Sequence, residues 1–153
     1  MALTNEPSLK GVRGWLAVLV FVIGVLVPLG QVGTAVSLLD SEPPLEAYFT
    51  DNWPLYKGLT LALCGIRAII CLLVARVLIY EKTRKAPKLA IFGIWFALGG
   101  LGFASLAIAG SFGPISVDFG VMLQRMFWVL VICAIATFYL LKSKRVANTY
   151  TVD

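Results

Sequence analysis

The 153-residue chain contains no histidine. That absence removes the usual haem ligand, most zinc sites and the commonest general base together. Acids are scarce as well: there are eight, and all lie outside the long apolar runs. No paired carboxylate is therefore available inside a membrane for acid–base chemistry, and no embedded acid for cation-coupled export. The three cysteines, Cys64, Cys71 and Cys133, all sit within apolar runs. Cys64 and Cys71 are seven residues apart, about 10 Å along a helix, which is too far to bridge. They read as small packing residues and give no support to a thiol relay. From these absences we expect no enzyme activity, no cofactor and no metal site.

What is present is apolar. Hydrophobic residues make up 59% of the chain and the mean hydropathy is +0.90, well above a soluble domain. A single integral membrane domain over 1–153 is expected, an all-α four-transmembrane-helix bundle. Gly14 to Leu39 runs 26 residues without a charge, more than the roughly 20 that cross a bilayer and longer than the apolar part of a signal peptide. Further spans are predicted over 57–80, 89–111 and 119–141, beside the first over 14–39. Between them lie an outer interfacial loop (40–56), a basic loop (81–88) and a basic C-terminal tail (142–153). Within the outer loop, Ser41 or Glu42 ahead of Pro43 and Pro44 reads as a helix start, and Tyr48, Phe49, Trp53 and Tyr56 as a headgroup-level aromatic belt.

Basic residues set the orientation. Lys10 and Arg13, then Lys82, Arg84, Lys85 and Lys88, then Lys142, Lys144 and Arg145 lie on one side, against Lys57 alone in the loops on the other. Both termini are thus expected in the cytosol. The net charge of +5 describes a basic inner surface suited to anionic lipid headgroups, with no nucleic acid implied.

Small residues suggest how the helices meet. Gly93, Ala97, Gly100, Ala104, Ala107 and Ser111 fall at spacings of four and three in the third span, opposite a similar run of Cys64, Ala68, Cys71 and Ala75 in the second. An antiparallel pairing through these two seams follows. In the first span Pro28 frees the carbonyl of Gly24, and a kink is expected there.

Three arginines fall inside predicted spans. Arg76 is one turn from the inner end, where its stem can carry the charge to the headgroups. Arg125 is about 9 Å inside the outer end of the fourth span and can reach back towards Asp118. Arg67 lies about 15 Å from Lys57, at the midplane of a core about 30 Å thick. A charge there costs about 2.5 to 3.5 kcal/mol and must face protein or water. Two readings stay open for it: satisfaction by backbone carbonyls and amide oxygens, or an anion site. Gln31, Thr34, Thr60, Ser105 and Gln124 all fall in the same outer half. Arg67, Arg125, Gln124, Gln31 and Ser105 are the candidate residues for binding an anion or lipid.

Gly14-Trp15-Leu16 at the start of the first span, Tyr139, Ser143-Lys144-Arg145-Val146 and Asn148-Thr149-Tyr150 carry a resemblance to a family of small four-helix bacterial inner-membrane proteins grouped as a domain of unknown function. The resemblance implies a multi-pass location in the bacterial cell inner membrane and no activity. Two functions are weighed on the residues. The first is a non-catalytic accessory or scaffold subunit that meets a membrane-protein partner or a second copy of itself. The alternative is binding or translocation of an anionic amphiphile or lipid through the intramembrane arginines.

Overall fold

A computed structural model describes residues 12, 14–42, 52–112 and 119–150. The expectations resting on Lys10, Arg13, the segment 43–51 with its prolines and two aromatics, and Asp118 lie outside the described residues. Among the described residues four helices are each long and apolar enough to cross a membrane, so the chain is a multi-pass membrane protein. They are α1 (Trp15–Asp40), α2 (Trp53–Tyr80), α3 (Ala86–Ser111) and α4 (Phe119–Lys142). A short α5 (Lys144–Thr149) follows.

The boundaries follow local chemistry. Gly14 enters α1 at φ 61°, a left-handed conformation that favours a residue without Cβ, and its carbonyl accepts the first helical bond from Val18 N–H. Ser41 closes α1, with extended backbone and a hydroxyl that donates to the Leu38 carbonyl at 2.7 Å; the helix start expected at Ser41 or Glu42 turns on residues outside the described ones. Helix α2 begins at Trp53, four residues ahead of expectation, because Pro54 suits a first turn where its missing N–H is no loss. Pro87 does the same for α3, shortening the basic loop. The kink expected near Gly24 takes the form of a π turn over Val22–Leu26. Pro28 cannot donate to the Gly24 carbonyl, and the widened turn immediately before it absorbs the mismatch.

Buried side chains concentrate in one half of the bundle. Leu16, Val20 and Ile23 of α1 join Cys71, Val74 and Leu78 of α2, Ala90, Ile94 and Ala97 of α3, and Cys133, Ala136 and Leu140 of α4. We call this the proximal half. In the distal half, the α1 segment Val27–Asp40 contains no buried residue. The distal ends of α1 and α2 are joined by Lys57, whose Nζ donates to the Leu39 carbonyl at 2.8 Å, a cation on an orphan carbonyl of a helix C-terminus.

The basic tail is structured. Val146 and Tyr150, four apart and so on one helical face, are buried against the proximal core. The Tyr150 hydroxyl donates to the Leu78 carbonyl at 2.5 Å, occupying an acceptor in the last turn of α2. Burial pushes the Tyr150 phenol up to about 12, with nearby Tyr139 adding to the rise. Val12 shares a groove with Tyr80, so both described ends of the chain lie at the proximal end.

Candidate functional site

Arg67 sits midway along α2, fourteen positions after Trp53 and thirteen before Tyr80. Either end is therefore about 20 Å away along the axis. No headgroup is within reach of its side chain. The guanidinium extends to both neighbouring helices: Nη1 lies 3.5 Å from Gln31 Oε1 of α1, and Nη2 donates to Ser105 Oγ of α3 at 3.0 Å. The Gln31 contact is at the outer limit of a hydrogen bond and contributes little. The Ser105 hydroxyl spends its own proton on the Leu101 carbonyl at 2.8 Å, which leaves its lone pairs for the arginine.

The positive charge is incompletely matched. Both acceptors are neutral, and among the described residues no carboxylate forms an ion pair with Arg67. Its Nε is buried and bonds to nothing. A guanidinium offers five N–H donors in a planar fork, so hydrogen-bonding capacity remains beyond the two neutral oxygens. Cys64 and Cys71, three residues before and four after, are buried on the same face and are unbridged, as is Cys133. They wall one side of the arginine with weakly polar thiols.

Ser105 reaches this position because α3 is irregular. Trp95–Gly100 forms a π turn, in which i→i+5 bonding takes up one extra residue. Before the turn the face expected from small-residue spacing holds, with Ala97 buried and Gly93 so close to α2 that an added Cβ would collide with Val74 Cγ2. Beyond it the face advances by one to two positions. Gly102 and Ala109 are buried, while Gly100 and Ala107 are exposed, which corrects the stripe expected through Gly100, Ala104 and Ala107. An added Cβ at Gly102 would stand 2.9 Å from Met126 Sδ of α4. The π turn is tied to α4 at its first residue, where Trp95 Nε1 donates to Thr137 Oγ1 at 2.9 Å.

Of the five candidate residues, the fold brings Arg67, Gln31 and Ser105 together and leaves Gln124 and Arg125 on the exposed surface of α4. No hydrogen bond joins those two to the three-helix contact. Thr34 bonds its own backbone, at 3.0 Å to the Gly30 carbonyl. Sequence reasoning did not anticipate the unbonded Nε or the docking of Tyr150. The second had a signal, since Val146 and Tyr150 are spaced as one helical face.

A family model described as a protein of unknown function (DUF2569) matches residues 9–151, and the chain belongs to that family. No curated protein and no solved structure matches it.

Proposed function

We propose that this member of the DUF2569 family is a non-catalytic inner-membrane protein that binds the charged group of an anionic amphiphile at Arg67, with its termini in the cytosol. The observation that carries this reading is the midplane guanidinium, held by two neutral oxygens, with a buried and unbonded Nε and no carboxylate partner among the described residues. A buried charge without a counter-charge is costly, and a phosphate or carboxylate delivered by a ligand would offset it. The distal half is the way in: Gln31, Thr34, Thr60, Gln124 and Arg125 all lie there, and the distal part of α1 buries nothing.

The test is native mass spectrometry of gently solubilised protein offered phosphatidylglycerol, oleate or phosphatidylcholine. The wild type should retain an anionic probe at this site, Arg67→Lys should retain less because it loses the planar fork, and Arg67→Gln should retain one bound anion fewer than wild type. Loss of a charge-assisted contact of about 1.5 to 3 kcal/mol corresponds to about a ten- to hundredfold weakening. Retention by Arg67→Gln equal to wild type would overturn the proposal.

A second reading, an accessory subunit that packs against a partner helix or a second copy, draws on a separate observation. Gly30 and Gly33 of α1 and Gly58 and Gly65 of α2 have open space where a Cβ would stand. Such positions let another helix backbone approach closely. A protein species that co-purifies stoichiometrically and dissociates on Gly33→Leu, with lipid retention unaffected by Arg67→Gln, would favour it.

A further inference from the structure

The proximal half carries a second feature that the Arg67 site does not use. Between α1 and α2 runs an exposed groove of about 1040 Å³. Phe21 and Val25 line it from α1, Leu72 and Tyr80 from α2, and Gly24 and Ala75 form its floor where the two helices touch. The touching is close because Gly24 has no side chain: a Cβ there would stand 2.7 Å from Ala75 Cβ. Its position also owes something to the π turn, since Gly24 and Val25 belong to it.

Among the described residues Arg76 is the one charged residue that lines the groove, and it is exposed. Nine residues after Arg67, it lies about 13.5 Å further along α2 and two and a half turns round, on the opposite face. One headgroup cannot serve both arginines. Arg76 is one turn from Tyr80, at the depth where a side chain meets lipid phosphates, and Tyr80 itself is 75% exposed at the groove mouth. Exposed Lys82, Arg84 and Lys85 follow Tyr80 in the chain against Glu81, so the segment that leaves this end of α2 is net positive.

We infer that this groove holds one anionic phospholipid of the proximal leaflet, an acyl chain lying along Phe21, Val25 and Leu72 and the phosphate paired with Arg76. Charge complementarity selects this occupant. An apolar helix seated in the groove would cover Arg76 without neutralising it, at the cost of an unpaired charge. A phosphate accepts two parallel N–H bonds from the guanidinium fork, and the chain fills the apolar length below. The inference is independent of the reading of Arg67.

The experiment uses the full chain in nanodiscs of phosphatidylcholine containing a minority of phosphatidylglycerol, released into the gas phase for native mass spectrometry. Wild type should keep phosphatidylglycerol in preference to phosphatidylcholine. Arg76→Gln should reduce that retention about fivefold, the weight of one basic residue at an anionic surface. Arg76→Lys should keep a good part of it, and Ala17→Phe, which fills the groove from α1, should remove it. Each comparison is repeated in an Arg67→Gln background, where the groove's phosphatidylglycerol should remain while any held at Arg67 is lost, which separates the two sites. Equal phosphatidylglycerol retention in wild type, Arg76→Gln and Ala17→Phe would overturn the inference. A dimer that Ala17→Phe dissociates would overturn it as well, by showing that a second copy occupies the groove.

Discussion

The contact between Gly24 and Ala75 permits a test of how closely α1 and α2 are packed. In Gly24→Ala the new Cβ would stand 2.7 Å from Ala75 Cβ, whereas carbon atoms rest at about 3.5 to 4.0 Å. Both atoms are carried directly by backbone, so no rotamer relieves the collision and the helices must part by about 1 Å. Overpacking of this kind costs about 1 to 3 kcal/mol, and a contact between two rigid backbones belongs in the upper part of that range. Replacing glycine by alanine within a helix returns about 1 kcal/mol. The net expectation is a loss of about 2 kcal/mol. Ala75→Gly in the same chain restores the space, and exchanging the two residues leaves the helix propensities nearly balanced, so the double variant should return to within about 0.5 kcal/mol of wild type. Gly100→Ala is the control. Its Cβ would meet Phe96 Cδ2 at an ordinary 3.8 Å on the exposed face, so it should be neutral or slightly stabilising. Unfolding free energies would be measured in mixed micelles by titrating a denaturing detergent. Equal effects of Gly24→Ala and Gly100→Ala, or a failure of Ala75→Gly to compensate, would refute the packing argument.

Tyr150→Phe removes the hydroxyl that occupies the Leu78 carbonyl and leaves that acceptor buried, a loss of about 1 to 3 kcal/mol that should appear as faster proteolysis of the tail after Lys142. The docked position also gives a pH dependence: burial pushes the phenol up to about 12 from its ordinary value of 10, so the protonated form is favoured by the fold. Tail docking should be fully stable below pH 10 and be lost as pH rises from 10 through 12. An ultraviolet titration in which wild type shows no late-ionising tyrosine beyond those of Tyr150→Phe would contradict this. A reporter that fluoresces only when folded in the cytosol, fused after Asp153, should light up; darkness with good expression would reverse the proposed orientation.

Much of the architecture was legible from hydropathy. Four spans could be counted because each crossing must be apolar over its whole length, and that property adds up residue by residue along the chain. Arg67 could be placed at mid-depth by counting rise per residue, and the inward packing of Cys64, Cys71 and Cys133 followed from the runs that contain them. The prolines at positions 54 and 87 marked helix starts more accurately than the end of hydrophobicity did. What a straight helical count misplaced was everything in α3 beyond Trp95. The π turn advances the face by one to two residues, so Ser105 and Gly102, in place of Ala104 and Gly100, turn towards neighbouring helices. Nothing in the local spacing signals that turn, because it is held in place by a partner on another helix, the Thr137 hydroxyl that receives Trp95.

Sequence alone determined the number of crossings, the depth of each charge and the absence of an embedded acid, all of which depend only on composition along one dimension. Tertiary structure decided which neighbours those charges meet. Gln31 and Ser105 come to Arg67 from positions 36 and 38 residues away, Tyr150 reaches Leu78 across 72, and Arg76 lines a groove whose other wall belongs to α1. Such meetings depend on the angular register of whole helices against one another, which the side chains of every contact settle jointly.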